Sequence, residues 1–314
     1  MDNEKQSLLA SVAHLYYNQE LTQNQIAERL FTSRSKVSRL LQEAREEGVV
    51  EIIIHEPWDR ATELEEALKQ NFGLSHVRVL NVRTDRNEDT QKRVGELAAY
   101  YLDSIINKRT VLGMSWGNTI YHTVKSIKSS KNIPLMVVPI MGAATTIGPE
   151  RDSLELTREM ASAYGGKYTC IYAPLFVSSA TVREELILDP KIKESLDLAT
   201  KANIILTSVG SVSHTWNDYL NKKDLEHLEK QGAIGHIGGR FYDKDGNEVM
   251  LELAERTVAI EMNAIRKVPN VVCIASSEQK AEAILGAIKG KLINTLITDS
   301  LTAKKALALY KGGE

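Results

Sequence analysis

The fold class of this 314-residue chain is indicated by the stretch Val111-Leu112-Gly113-Met114-Ser115-Trp116-Gly117-Asn118-Thr119. An apolar segment, predicted as a strand over Thr110–Met114, passes through a glycine-rich turn into a helical pattern. Strand, turn and helix in this order form the repeating unit of a parallel α/β sheet. Further apolar, β-branched segments predict strands at Val77–Leu80, Leu135–Ile140, Tyr168–Tyr172, Ile204–Val209, Val271–Ala275 and Leu292–Thr298. Because helical patterns lie between most of them, we expect a doubly wound, mostly parallel sheet.

Composition limits the class of protein. The chain is 43% hydrophobic and 25% charged, which is typical of globular proteins, and its length predicts two domains. Its two cysteines, Cys170 and Cys273, are too few for a disulfide framework or a four-ligand metal site. With no apolar segment behind a basic start, we expect a cytoplasmic protein that holds no metal or cofactor and does not span a membrane.

The first fifty residues predict three helices. Apolar residues recur at helical spacing from Gln6 to Asn18, and Thr22-Gln23-Asn24-Gln25 fits a capping box for a short second helix. Ser33 is placed to cap a third helix, which Gly48 is placed to end. Two helices joined by a short turn are the pattern of a helix-turn-helix motif.

The third helix offers a polar face opposite its apolar stripe. The net charge of the whole chain is −2, but from Arg29 to Arg45 four Arg and one Lys stand against one acid, a balance of +4. Arginine can bind guanine with two hydrogen bonds, and Ser and Gln can bind several bases. We therefore predict that DNA is bound by Ser33, Arg34, Ser35, Lys36, Ser38, Arg39 and Gln42. From the preceding helix, Gln23, Asn24 and Gln25 either bind phosphates or are simply solvated.

Loops that follow the predicted strands are rich in glycine and small residues. Ligands of such sheets bind at the carboxyl ends of strands, where glycine and helix N-termini accommodate anions. The candidates are Gly113, Ser115, Trp116, Gly117, Asn118 and Thr119 in the first loop, Gly142, Ala143 and Ala144 in the second, and Gly210 in a later one. Alone, each loop could be only a tight turn, and Trp116 could be a core residue.

Two cations and one histidine could complete an anion site. Arg240 is either a ligand or a salt-bridge partner, and Lys280 is either a second cation or a solvated helix residue. His236 either binds a hydroxyl or phosphate or is a core residue.

These motifs resemble the SorC/DeoR family of bacterial sugar-responsive transcriptional regulators over nearly the whole chain. The N-terminal match is Leu21-Thr22-Gln23-Asn24-Gln25-Ile26-Ala27 and Ser33-Arg34-Ser35-Lys36-Val37-Ser38-Arg39. The later matches are Gly113-Met114-Ser115-Trp116-Gly117, Gly142, Ala173-Pro174-Leu175, Val209-Gly210-Ser211, Gly239-Arg240-Phe241-Tyr242-Asp243, Lys280-Ala281-Glu282 and Thr298-Asp299. The resemblance implies a helix-turn-helix domain over residues 1–56 and, over 57–314, an oligomerising effector domain with a sugar-phosphate isomerase/deaminase-like fold.

The same resemblance implies what the chain binds. Its partners would be operator double-stranded DNA, a phosphorylated sugar or polyol, and further copies of itself in a homodimer or homotetramer. Pro174 would be one of the residues that bind the sugar or polyol. Two residues depart from the family pattern: His236 replaces a common acid, and Met141 stands where some members have lysine.

Two other functions remain open from the residues alone. The isomerase-like fold allows an enzyme with a fused DNA-binding domain, although no acid and base pair at a recognisable spacing, so we predict no catalytic residue. Alternatively, the second domain only oligomerises.

Overall fold

The computed structural model describes residues 3–50, 58–83, 87–128, 132–143, 148–212, 216, 220–249 and 251–312. The chain folds as two compact units, Met1–Pro57 and Trp58–Glu314. The domain boundary predicted at residues 56 and 57 lies outside the described residues.

Unit 1 contains the three predicted helices. They are α1 (Asn3–Ala13), which continues as a π-helix over His14–Asn18, α2 (Gln23–Arg29) and α3 (Arg34–Glu46). They pack through a core of Val12, Ile26, Ala27, Val37 and Leu41.

Both predicted caps are present. Gln25 N–H donates to Thr22 Oγ1 over 3.4 Å, and Thr22 N–H donates to Gln25 Oε1 over 2.9 Å, which forms the capping box. Lys36 N–H donates to Ser33 Oγ over 3.2 Å and caps α3. The N-termini of α2 and α3 are therefore both fixed by side-chain caps.

Unit 2 is built on a seven-stranded sheet in which every pairing is parallel. Its strand order is β1-β10-β9-β5-β2-β3-β4. The strands are β1 (His76–Leu80), β2 (Val111–Met114), β3 (Met136–Pro139), β4 (Lys167–Tyr168), β5 (Ile204–Thr207), β9 (Asn270–Ile274) and β10 (Thr295–Asp299). The doubly wound sheet predicted from the sequence is confirmed, and β2 and β5 flank its switch point, where the strand order reverses.

Helices cover both faces of this sheet. One apolar core receives side chains from α5 (Asn87–Ile105), α6 (Asn118–Ser126) and α7 (Ser153–Tyr164). The opposite core receives side chains from the helices α4 (Thr62–Phe72), α9 (Pro190–Ala199), α10 (Lys222–Lys230), α12 (Met262–Arg266), α13 (Ala281–Lys289) and α14 (Ser300–Lys311). Two further helices are α8 (Ala180–Leu188) and α11 (Leu251–Ala254). Strand residues alternate between the cores, which explains why β2, β3 and β5 consist mainly of apolar residues.

Two strand predictions need correction. The predicted strand Tyr168–Tyr172 shrinks to Lys167–Tyr168 at the sheet edge. The segment Ile204–Val209 divides, because Ser208 separates β5 from β6 (Val209–Ser211). Strand β6 joins an antiparallel sheet with β7 (Gly235–Ile237) and β8 (Arg240–Tyr242), in the order β6-β7-β8. These strands have only three residues each, which is too short for an alternating strand pattern to be recognised in the sequence.

No helix in the described part of the chain has the length and apolar character to cross a membrane.

Candidate functional site

The predicted DNA-binding face of α3 is exposed. Ser33, Arg34, Ser35, Lys36, Ser38, Arg39 and Gln42 are all accessible to solvent, whereas Val37, Leu41 and Ala44 are buried. The amphipathic pattern of α3 therefore leaves its basic and hydroxyl side chains free to meet DNA.

The N-termini of α2 and α3 meet at a groove of about 750 Å³. Gln23 and Asn24 line it from α2, and Arg34 lines it from α3. Helix N-termini carry unpaired N–H groups that favour anions, so the lining of this groove is compatible with a phosphate.

Four of the predicted DNA contacts already have side-chain partners within the chain. Gln25 Oε1 accepts from Thr22, and Gln42 Nε2 donates to Glu46 Oε1 over 2.8 Å. Ser33 Oγ accepts from Lys36 N–H and shares a hydrogen bond of 3.0 Å with Ser35 Oγ. Each has a structural function that it would share with, or give up for, a DNA contact.

The predicted effector site centres on the carboxyl ends of β2 and β5. Ser115 follows β2, and its N–H donates to the Leu206 carbonyl of β5 over 3.1 Å. The Ser115 hydroxyl is buried and has no hydrogen-bond partner among the described residues. A hydroxyl in this setting is available to a polar ligand.

Five rings form an aromatic cluster beside Ser115. Trp216 is fully buried and has four rings around it, with centroid distances of 6.1 Å to Trp116, 5.5 Å to Phe176, 4.6 Å to His236 and 5.2 Å to Phe241. The cluster thus joins the loop after β2 to the middle of β7 and fixes the ring of His236. Trp116, which is half-buried, has a place in this cluster.

His236 lies opposite Gly210 in the β6–β7 pair. Its Nε2 atom is buried and has no hydrogen-bond partner among the described residues. Burial, with a smaller effect of the Lys280 charge, lowers the pKa of His236 to about 3. The imidazole is therefore neutral near pH 7, with one ring nitrogen able to bond a ligand.

Lys280 reaches the same place from the turn after β9. Burial lowers the pKa of its ammonium group, and the ammonium lies close enough to His236 and Cys273 to affect the pKa of each. No carboxylate pairs with Lys280 among the residues that the structure describes. Burial raises the pKa of the Cys273 thiol to about 12, so Cys273 is uncharged and does not neutralise the lysine.

Arg240 was expected as a possible phosphate ligand, and the structure corrects this. Its side chain is 2% exposed, and its guanidinium donates to the carbonyls of Ala254, Ala259 and Ile260 at 3.2 to 3.3 Å. It also pairs with Glu248 at 3.4 Å and Glu261 at 3.0 Å. All its donor directions serve the chain itself, so the salt-bridge alternative holds.

Glycines of the predicted site have packing functions. Gly113 lies within β2, where a Cβ atom would be 2.8 Å from Ile140 Cγ2, so it faces the core and not a ligand. A Cβ on Gly142 would be 2.6 Å from the Ala173 carbonyl oxygen. This close approach allows Ala143 to pair with Pro174, which is exposed. Ala144 lies outside the described residues.

The start of α6 faces a different neighbour. Gly117 has φ +143° and caps the helix, and Thr119 is buried in its first turn. Asn118 Oδ1 accepts from Arg151 Nη1 over 3.0 Å, so its side chain is held toward Arg151.

Two surface cavities of unit 2 contain none of the predicted ligand residues. One, of about 530 Å³, lies at Asn81–Arg83 beside Asp59. The other, of about 670 Å³, lies between α5 and α6 and includes the exposed Tyr100. Both carry charges of each sign.

Sequence reasoning missed Trp216, Phe176 and Phe241 as parts of the site. Each lies in an irregular or very short element, so no periodicity marked it. A tryptophan in a polar segment, Ser213-His214-Thr215-Trp216-Asn217, was the available signal.

Unit 1 and unit 2 together define a class of protein: a helix-turn-helix domain joined to a doubly wound α/β domain. The family model described as "Putative sugar-binding domain" matches residues 56–308, and the model of the MarR family matches residues 12–69. The chain belongs to the SorC/DeoR family of bacterial sugar-responsive transcriptional regulators.

Individual relatives align with this chain over nearly the whole length of both proteins. The deoxyribonucleoside regulator of Bacillus subtilis is 30% identical over 97% of this chain and 98% of its own. The transcriptional regulator LsrR of Enterobacter sp. is 31% identical over 97% and 94%. The crystal structure of the full-length sorbitol operon regulator SorC from Klebsiella pneumoniae superposes with a TM-score of 0.77 at 28% identity, covering 98% and 99%.

Proposed function

We propose that residues 1–56 bind operator DNA and that residues 57–314 bind a phosphorylated sugar or polyol and assemble the chain into a homodimer or homotetramer. A bacterial operator lies in the cytoplasm, and we place the protein there. The effector changes operator affinity by binding one quaternary arrangement more tightly than another.

The observation that carries the proposed effector is the Lys280 ammonium group, which lacks an anionic partner among the described residues. A cation that loses hydration without gaining a counter-ion is costly, and a bound anion removes that cost. Phosphate supplies both the charge and several hydrogen-bond acceptors.

The neutral groups around Lys280 suit the rest of such a ligand. His236 Nε2 and the Ser115 hydroxyl are buried and have no hydrogen-bond partner in the described part of the chain, so they can bond sugar hydroxyls. Trp116 offers a flat apolar surface near them. We propose binding without chemical turnover, consistent with relatives that are named as regulators.

The test is a panel of pentose, hexose and hexitol phosphates against the full-length protein, with the matching free sugars as controls. Thermal shift identifies binders, because a ligand of the native state raises the melting temperature. A gel shift on operator DNA, selected from random sequence with the wild-type protein, then asks whether the binder changes affinity. If no sugar phosphate shifts either the melting temperature or DNA binding, the proposal is wrong.

Substitutions of two lysines, one at each end of α13, distinguish a specific phosphate contact from general electrostatic attraction. Lys280→Gln should abolish the preference for phosphorylated over free sugars. Lys289→Gln is the control, because Lys289 is exposed and lies 3.6 Å from Asp245 at the other end of α13. NMR of the mixtures over hours would detect turnover, which we do not expect.

A further inference from the structure

The position of Lys280 depends on an unusual backbone conformation at Ser277. The 3-10 turn Glu278–Lys280 begins there, and Lys280 N–H donates to the Ser277 carbonyl over 3.0 Å. Ser277 has φ +131° and ψ +131°, in a region that glycine tolerates and other residues avoid. A strained residue persists only where its surroundings hold it.

What holds Ser277 is the first turn of α14. The Ser277 N–H donates to Thr302 Oγ1 over 3.0 Å, and the Thr302 hydroxyl donates to Asp299 Oδ2 over 2.6 Å. Asp299 Oδ1 caps the helix by accepting from the N–H groups of Leu301 and Thr302. Asp299 and Thr302 are buried, so these charge-assisted bonds form away from competing water.

The hydroxyl of Ser300, in the same turn of α14, bonds to a different segment of the chain. Ser300 Oγ accepts from Val82 N–H over 3.1 Å and lies 3.3 Å from the Val82 carbonyl oxygen. Ser300 is as buried as Thr302 but serves the exit of β1 and not the Lys280 turn. It is therefore a matched control within one helical turn.

We propose that Asp299 and Thr302 are positioning residues for the Lys280 ammonium group, acting through the backbone of Ser277. This rests on the proposed function, in which Lys280 binds the effector phosphate. A lysine side chain has a limited reach, so the position and direction of its Cα–Cβ bond restrict where the ammonium group can lie relative to His236. Asp299 and Thr302 would then set effector affinity without touching the effector.

The first experiment needs no sugar. In full-length protein with ¹³C-labelled lysine, the Lys280 Cε signal is assigned by its loss in Lys280→Gln and titrated to give the Lys280 pKa. Thr302→Val removes the hydroxyl at nearly constant volume, so the ammonium should gain hydration and its pKa should rise toward the ordinary value. Thr302→Ser and Ser300→Ala should both keep the wild-type pKa.

The second experiment is a double-mutant cycle in which calorimetry measures the affinity of each variant for inorganic phosphate. Thr302→Val should weaken phosphate binding roughly 3- to 10-fold, the effect of one lost hydrogen bond. In a Lys280→Gln background it should have no further effect, because the group that it positions is gone. If Thr302→Val does not fold, Asp299→Asn keeps the helix cap and removes the acceptor of the Thr302 hydroxyl.

The outcomes distinguish the two proposals. An unchanged Lys280 pKa in folded Thr302→Val or Asp299→Asn overturns the positioning assignment, as does an equal loss of phosphate binding with and without Lys280. If Lys280→Gln binds phosphate as the wild type does, the proposed phosphate contact fails. The titration still decides the positioning claim in that case.

Discussion

Gly210 and His236 are so close across the β6–β7 pair that a Cβ atom on Gly210 would lie 2.0 Å from His236 Nε2. The imidazole cannot swing aside freely, because the rings of Trp216 and Phe241 pack against it. The absence of a side chain at Gly210 therefore provides the space that the imidazole of His236 occupies.

Gly210→Ala should displace His236 and cost about 1–3 kcal/mol of unfolding free energy, the usual cost of overpacking. It should also weaken sugar-phosphate binding. Urea unfolding and calorimetry measure the two effects. In a His236→Ala background the alanine at position 210 has room, so the stability cost should disappear; a cost that persists there contradicts this explanation.

The protonation of His236 should destabilise the protein in acid. Its folded pKa of about 3 is below the ordinary 6.5, so the unfolded state binds more protons between those values. Stability from the neutral imidazole is present above pH 6.5 and is lost as the pH falls toward 3, at up to about 1.4 kcal/mol per pH unit. Denaturant unfolding of wild type and His236→Gln from pH 7 to pH 4 tests this, and parallel curves would refute it.

Arg34 should contribute to operator affinity much more than Arg45. Both are exposed basic residues of α3, but Arg34 lies in its first turn beside Gln23 and Asn24, whereas Arg45 lies in its last turn beyond Gln42. Arg34→Ala should cost about 1–3 kcal/mol if it reads a base. Fluorescence anisotropy with selected operator DNA measures this, and Arg45→Ala is the charge-matched control. Equal losses would indicate general electrostatic attraction and not recognition.

Arg240→Ala should destabilise unit 2 by about 3–5 kcal/mol, because it leaves Glu248 and three carbonyls without their partner. Arg183→Ala is the control, since Arg183 also pairs with Glu261 but is more exposed and should cost less. At temperatures where both variants are folded, sugar-phosphate affinity should be close to that of the wild type. Selective loss of phosphate binding in Arg240→Ala would restore the ligand interpretation.

Two glycines with similar φ angles should differ in their tolerance of alanine. Gly246 has φ +77°, and a Cβ there would be 2.3 Å from Gly290 Cα, whereas Gly73 has φ +65° and open space around it. Gly73→Ala should cost only the backbone strain, about 1 kcal/mol, and Gly246→Ala clearly more. Thermal unfolding of the two variants gives the comparison; equal melting temperatures would show that the contact at Gly290 relaxes easily.

Local patterns in the sequence were enough for the main architecture. The capping box at Thr22–Gln25, the cap at Ser33 and the buried stripe of α3 are interactions within a few residues, so the sequence contains all their parts. The buried parallel strands were also predictable, because burial on both faces demands continuous apolar residues. The edge strand β4 is exposed, and the predicted segment Tyr168–Tyr172 overlaps it only at Tyr168. The exposed face of α3 was predictable too, because helical periodicity places the residues between the buried positions on the opposite side of the helix.

Tertiary contacts decided the surroundings of each candidate ligand residue. Arg240 and Lys280 are both candidate ligand cations in the sequence. In the fold, the carbonyls of Ala254, Ala259 and Ile260 enclose Arg240, while no carboxylate among the described residues meets Lys280. The aromatic cluster and the Ser277–Thr302–Asp299 hydrogen bonds join residues that are far apart in the chain. The sequence by itself determined which segments form helices and strands, since propensity and periodicity are local. Only the folded structure decided which polar groups find partners, because that depends on distances between segments that no local pattern records.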